Sequence, residues 1–493
     1  MMPAVFEGWD ISWQSVLPLA TTIGGYLLAF VLIPRIILDR RESAATLAWI
    51  LFIAIVPWLG ALLFFLVGRG RVRRRKRKRM RSHHAHQRSL EELPEAAEQC
   101  DFDRPPPELP EPARDIARLA ASVTETPIIG GNAVEVYIDT DQAYDRMEQA
   151  IRQAAHHVFL QSYIFRADGA GRRFRDLLIE RARAGVEVRL LVDGVGGQNL
   201  SRRFLAPLLA AGGHFGVFMP VWRLRPHWRP NLRNHRKILV VDNRVGFAGG
   251  LNIGEEYQGR RKKFAPWRDT HLRLEGPAVR RLQEVFTEDW LDTTGEDLTD
   301  AEHFPQFDPC GGDLVQVVDS GPDKPQESIH AVFFTAINEA QARVYITTPY
   351  FVPDTSMLLA LKTAAWRGVD VRLLLPGKSD LRLVQWAGRS YFEELLEAGV
   401  HIYEHRPGML HAKTMVVDGV WATVGSANMD RRSFRLNFEA NVLVSGERFA
   451  ARMEEIFRAD IAGAAEITLE SLHGKKMGPR MVEAFARVLS PVL

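Results

Sequence analysis

Residues 234–252 read NHRKILVVDNRVGFAGGLN, and residues 410–430 read LHAKTMVVDGVWATVGSANMD. Each stretch is a strand rich in β-branched residues, a two-residue turn at Asp-Asn or Asp-Gly, and a returning strand. Each opens with His-x-Lys and carries an Asp seven residues after the His: His235, Lys237 and Asp242, then His411, Lys413 and Asp418. On a strand, positions i and i+2 share a face, so His and Lys point together. An offset of seven is odd, and the turn begins there. Alternation therefore keeps Asp242 and Asp418 off the His/Lys face and gives them a mainly structural role. On the return strands, Gly250 and Asn252, and Ser426 and Asn428, are again i and i+2 and can line the same pocket.

The chain upstream of each motif also repeats. Val134–Gly194 and Val315–Gly377 both read as strand, amphipathic helix, strand ending near an aromatic (Tyr163, Tyr350), second helix, and a strand after Gly (GVEVRLLV, GVDVRLLL). Strands alternating with helices predict an α/β sandwich with a largely parallel sheet. Duplication on this scale predicts two tandem domains rather than a solenoid. One His-x-Lys-x4-Asp is a weak signal. Two copies, each closing a repeat and each followed by Gly-(Gly/Ser)-x-Asn, are a strong one.

The chain has 493 residues, 46% hydrophobic and 25% charged, with a net charge of +3. It can bury large cores and is not a polycation overall. Its two cysteines, Cys100 and Cys310, are too few for a disulfide scaffold and read as free thiols. Ile11–Pro34 and Ser43–Gly68 hold no charged residue, and each is long enough to span a bilayer. Trp13, Trp49 and Trp58 lie in these runs, and Trp13 is placed to sit at an interface. No Lys or Arg precedes Arg35, which argues against a signal peptide. Ten Lys/Arg fall between Arg69 and Arg81. The positive-inside rule then puts both chain ends in the cytoplasm, and the basic block faces anionic headgroups. The predicted domains are 1–70, two transmembrane helices; 71–127, a basic, Pro-rich tether containing RPPPELPEP; 128–300 and 301–493, the two repeats.

The two motifs resemble those of the phospholipase D superfamily over roughly residues 130–493. More closely, NHRKILVVDNRVGFAGGLNIGEEYQG with WRDTHLRLEGPAV, and LHAKTMVVDGVWATVGSANMDRRSFRLNFEANV, resemble bacterial cardiolipin synthases. The segment TLAWILFIAIVPWLGALLFFLVGR resembles their N-terminal hairpin. The resemblance implies two phospholipase D-like α/β sandwich domains sharing one site behind a transmembrane hairpin in the bacterial inner membrane. It implies transfer of a phosphatidyl group between two phosphatidylglycerol molecules through a covalent phospho-histidine, with anionic membrane lipids as partners and no nucleic acid. It also implies His235 as nucleophile and His411 as acid/base, although the near-copy motifs leave that assignment open. A downstream acid would hold each histidine's far nitrogen, Glu439 in LNFE and Asp269 in WRDTH.

The residues fit that chemistry. A phosphodiester anion repels nucleophiles, and Lys237, Lys413, Asn252, Asn428 and Ser426 can cradle its oxygens. Gly250 stands where the second copy has Ser426, so its backbone amide would serve instead. No metal or other cofactor is expected: HHAH at 83–86 lies in the tether, away from the motifs. A hydrolase of the same type, another phosphatidyltransferase and, less well supported, a nuclease are the alternatives. Both motifs lie on one chain, so catalysis does not require a dimer, and the sequence leaves the oligomeric state open.

Overall fold

The computed structural model describes residues 13–38, 43–64, 109–220, 232–260, 265–300, 302–305, 309–324, 326–474, 476–488 and 490. The chain divides into two units, Met1–Arg77 and Lys78–Leu493. The basic block, the HHAH stretch, Cys100 and most of the Pro-rich segment lie outside the described residues.

In the first unit, Trp13–Leu38 forms one helix. Its segment Ala20–Leu38 is, by length and composition, the one described helix able to cross a membrane. The second apolar run departs from expectation. It is two shorter helices, Ser43–Ile55 and Pro57–Leu63, broken at Val56. The cause is Pro57, whose ring drives the preceding residue out of helical geometry; Val56 has ψ 73°. The turn is pinned by the Trp58 indole, which donates to the Thr21 carbonyl at 3.0 Å. Ala29, Leu32, Ile36, Ile53 and Phe64 are buried between these helices. Phe30, Leu38 and Ile55 point outward.

The second unit is built on a 16-stranded mixed sheet. From the centre outward, the first repeat contributes Ile129–Tyr137, His271–Glu275, Val245–Gly249, Ile238–Val241, His157–Ser162, Glu187–Asp193 and His214–Phe218. The second repeat mirrors that order with Asp313–Ser320, Asn437–Ser445, Trp421–Gly425, Thr414–Val417, Arg343–Thr347, Asp370–Pro376 and His401–His405. The repeats join through their first strands, which pair antiparallel with Ile129 opposite Val315. The expected largely parallel sheet is corrected here. Within each repeat only the last three strands named run parallel to one another, and the edge strand Ala465–Ile467 beyond His401–His405 is antiparallel. The motif hairpins are antiparallel, because a two-residue turn can only reverse the chain.

Both hairpins turn through left-handed residues, Asp242 and Asn243 (φ 53° and 52°) and Asp418 and Gly419 (φ 52° and 71°). Two successive positive φ values define the type I′ turn, whose twist matches that of the strands. One hydrophobic core is shared, with Ile238, Leu272 and Leu282 of the first repeat beside Val317, Val424 and Met453 of the second. Each repeat also has a core of its own under its outer helices.

Part of the stretch read as tether is helical. Glu111–Thr124 buries Ala113, Ile116, Ala117 and Ala120, a 3.6-residue stripe, against Val332, Phe333 and Ala336 of the helix Ser328–Glu339. Gln316 Nε2 donates to the carbonyls of Ala117 and Thr126 and ties this helix to the sheet.

Candidate active site

Two very short parallel pairings build the site. Arg233–Asn234, just ahead of the first motif, pairs with Asn437–Phe438 of the second repeat. Met409–Leu410, just ahead of the second motif, pairs with Trp267–Arg268 of the first. The His235 amide donates to the Phe438 carbonyl at 2.8 Å, and the His411 amide to the Arg268 carbonyl at 2.7 Å. Each motif is therefore laid beside the acidic residue of the other repeat. His235 Nδ1 lies 3.0 Å from Glu439 Oε2. His411 Nδ1 lies 2.6 Å from Asp269 Oδ2.

His235, Lys237, His411 and Lys413 are buried together. Lys237 Nζ donates to the His235 carbonyl, and Lys413 Nζ to the His411 carbonyl. Lys413 Nζ also lies 3.2 Å from His411 Nδ1. Between His235 and Lys237, Arg236 points to the opposite side. There its guanidinium meets Asp289 at 2.8 Å, Asp319 at 2.6 Å and the Glu439 carbonyl at 3.1 Å. This buried ion network ties the link between Asn234 and Ile238 to both repeats.

Burial drives the electrostatics. It lowers His235 to about 4, against the opposing pull of Glu439. It also lowers His411, helped by Lys413. Lys237 falls to about 7 and Lys413 to about 8, again chiefly by desolvation. Burial would raise Glu439 and Asp269, but the adjacent histidines and lysines outweigh it and hold both below the ordinary carboxylate range. At neutral pH the site therefore holds neutral imidazoles against ionised acids. A carboxylate accepting from Nδ1–H fixes the tautomer and leaves Nε2 with its lone pair.

The remaining expected residues separate. Asp242 lies away from the pocket: its carboxylate accepts from the amides of Ala155, His156 and His157, each at 2.8 Å. Asp418 does the same for Gln341, Ala342 and Arg343 at 2.7–2.8 Å. Both cap the entry into the strand paired with their hairpin. The Ser426 hydroxyl donates to Glu439 Oε2 and accepts from the Ala440 amide at 3.0 Å, so it braces the acid. The expected role for the Gly250 amide is corrected, because it donates to the Thr270 carbonyl at 2.9 Å within the sheet. Gly250 lacks a side chain for a visible reason: a Cβ there would lie 1.9 Å from Asp269 Oδ1. Asn252 Oδ1 accepts from the Ile164 amide at 3.0 Å and holds the loop after Tyr163. Asn428 is buried, and its Oδ1 has no hydrogen-bond partner among the described residues.

Several contributors escaped the sequence. Asn437 Nδ2 donates to Glu439 Oε1 at 3.0 Å; its i, i+2 offset from Glu439 was the available signal. The Tyr163 ring stands edge-on to His235 at 5.0 Å, and the Trp267 ring lies 5.2 Å from His411. Tyr350 lies 6.5 Å from His411 and donates to Asp380 at 2.8 Å. Among the described residues, no group of three or more His, Cys, Asp or Glu could hold a metal ion.

A family profile described as cardiolipin synthase, PLD-like domain, matches residues 147–290 and 333–461. A cardiolipin synthase of Geobacillus sp. (strain WCH70) is 37% identical over 98% of this chain and 95% of the relative. The chain belongs to the cardiolipin synthase family. The major cardiolipin synthase of Bacillus subtilis (strain 168) is 36% identical, covering 98% of this chain and all of that one. A second profile, phospholipase D-nuclease N-terminal, matches residues 27–69. The fold is shared with a phosphatidylserine synthase of Haemophilus influenzae: TM-score 0.59, 14% identity, covering 77% of this chain and 98% of that one. As a member of the cardiolipin synthase family, the chain is a phosphatidyltransferase with two tandem phospholipase D-like repeats.

Proposed function

We propose that the chain transfers a phosphatidyl group from one phosphatidylglycerol to another, releasing glycerol, through a phosphorylated His235. The observation that carries this reading is the pair of crossed clamps, which leaves two neutral imidazoles and two lysines in one buried pocket. His235 Nε2 attacks phosphorus, and the P–O bond to glycerol breaks. Entry of the diester anion beside Asp269 lets His411 take up a proton at Nε2, and His411 gives that proton to the departing alkoxide. The terminal hydroxyl of the second phosphatidylglycerol then attacks, His411 takes its proton, and the P–N bond breaks. Lys237 and Lys413 neutralise the non-bridging oxygens throughout.

The two clamps differ in a way that supports this division. Asp269 sits 2.6 Å from His411 and spends one oxygen on it. Glu439 shares its charge among His235, Ser426 and Asn437. The less shared acid better stabilises an imidazolium, which suits the acid/base role for His411. Asp242 and Asp418 act as supports. The apolar N-terminal helices anchor the enzyme in the cell membrane, and the basic block after them sets the catalytic repeats on the cytoplasmic side.

Purified protein given labelled phosphatidylglycerol should form cardiolipin with one free glycerol per cardiolipin. Phosphatidic acid alone would assign a hydrolase, and DNA cleavage with no lipid product a nuclease. With a diester whose leaving group needs no proton, an acid-labile phosphoenzyme should accumulate in His411→Ala and be missing in His235→Ala. C-terminal reporter fusions test the orientation: a reporter that works only outside the cytoplasm must stay silent.

A further inference from the structure

Most exposed apolar side chains on the second unit fall on two neighbouring segments. Of its thirteen large hydrophobic residues exposed among the described residues, eight lie on Leu381–Arg389 or Met477–Val488. Those two helices pack on each other. The C-terminal helix is inverted for a soluble protein. Met477, Met481, Phe485 and Val488 follow helical spacing and form one stripe, yet they are 70%, 66%, 65% and 74% exposed. The inward side holds Ala486 in the core, and Arg487 stacks on the Tyr391 ring at 4.4 Å and pairs with Glu394 at 2.8 Å. The helix is thus fixed to the body by its polar side and offers its apolar side outward. An ordinary surface helix does the reverse, and an apolar patch of this kind marks an interaction surface.

We propose that this surface, with Trp386 and Phe485 at its centre, seats the catalytic body on an anionic phospholipid bilayer. Two observations favour a bilayer over a protein. The first is position. The helix after Leu381 lies on Phe351, where Gly388 allows an approach that a Cβ would block at 2.5 Å from the Phe351 carbonyl. Phe351 follows Tyr350, which lies 6.5 Å from His411 and bonds Asp380, just ahead of the same helix. The helix that carries Trp386 is therefore linked to the site through Phe351, Tyr350 and Asp380. The second is charge. Exposed Arg382 and Lys476 adjoin apolar residues of the two segments in sequence, and exposed Arg480, beside Met481, also pairs with Glu393 at 3.6 Å. Apolar side chains on one face with basic residues beside them are the pattern of a helix lying in a charged interface.

The proposal rests on the reading of the chain as an enzyme of bilayer lipids, so its first test reads the position of a label rather than turnover. Full-length protein with Cys100→Ser and Cys310→Ser, carrying Phe485→Cys or, as a control, Arg452→Cys, is labelled with an environment-sensitive fluorophore. It is reconstituted in phosphatidylglycerol vesicles containing an acyl-chain nitroxide lipid. The label at 485 should be quenched and the label at 452 should not. An unquenched 485 label overturns the proposal, as does equal quenching at both sites. A 485 label that is shielded, unquenched and cross-linked to itself assigns the surface to a second copy instead. In a separate measurement, Met481→Glu with Phe485→Glu should cut activity on vesicles about tenfold or more and leave activity on short-chain monomeric lipid intact. Unchanged activity on vesicles overturns the proposal. Quenching at 485 in a preparation with no transferase activity refutes the reaction and leaves the surface standing.

Discussion

His235 and Glu439 are 204 residues apart and meet at 3.0 Å, so the imidazole of one repeat is oriented by the carboxylate of the other. The reciprocal pair, His411 and Asp269, is separated by 142 residues. Neither histidine is held by an acid of its own repeat. Glu439→Gln and Asp269→Asn keep shape and remove charge, so the wrong tautomer and a lost counter-charge should each lower kcat by roughly 10²–10⁴-fold. Glu439→Gln should slow formation of the phosphoenzyme, and Asp269→Asn the proton-transfer steps. Rapid-quench kinetics on both variants distinguish the two. Identical defects in the same step would refute the division of roles.

The small residues after the hairpins should not tolerate exchange equally. Gly250→Ala forces a methyl group into Asp269, and moving that acid should inactivate the enzyme by about 100-fold or more. Ser426→Gly removes one hydrogen bond to Glu439, a loss of about 1 kcal/mol and roughly fivefold in rate. Steady-state kinetics of the two variants side by side decide the matter; equal losses would show that the two positions do not differ.

Asp242→Ala and Asp418→Ala each remove a carboxylate that accepts three backbone amides. Each should cost about 1.5–3 kcal/mol of stability, since the acceptor is charged. Activity per folded molecule should stay near that of the parent. Thermal unfolding combined with active-site titration separates the two effects, and a stable but dead variant would make these aspartates reacting groups.

The lysines predict an alkaline limit. Lys237 and Lys413 are lowered by burial to about 7 and about 8. A lysine is cationic below its pKa, so capture of a phosphodiester anion is strongest below this window and fades as pH rises through it. A plot of kcat/KM against pH should bend downward between about 7 and 9, mainly through KM. A profile flat up to about pH 10 would contradict neutralisation by these groups.

The histidines and lysines were legible because extended alternation places i and i+2 on one face, although residues 235–237 and 411–413 lie between strands rather than within one. The supporting role of Asp242 and Asp418 followed from the same count, together with the turn. Glu439 and Asp269 could be named as acids, but their crossed assignment was not legible. It depends on two-residue pairings between strands 204 and 142 residues apart, and short parallel contacts leave no periodic trace. The helix Glu111–Thr124 was masked by the prolines before it, although Ala113, Ile116, Ala117 and Ala120 carried its spacing. Pro57 was visible, but its effect on the second apolar run was lost in a count of uncharged residues. The mixed sheet was misjudged because helix alternation reports only the three parallel strands of each repeat.

A ribosome delivers this chain from the N-terminus, so His235 and Lys237 emerge well before Glu439 exists. During that interval the first repeat carries a histidine with no acid to fix its proton, and an aspartate with no histidine to serve. On the proposed mechanism, reactivity toward phosphodiesters begins only when Asn437–Ser445 closes across the sheet. The proposed chemistry is therefore absent while only the first repeat has been made.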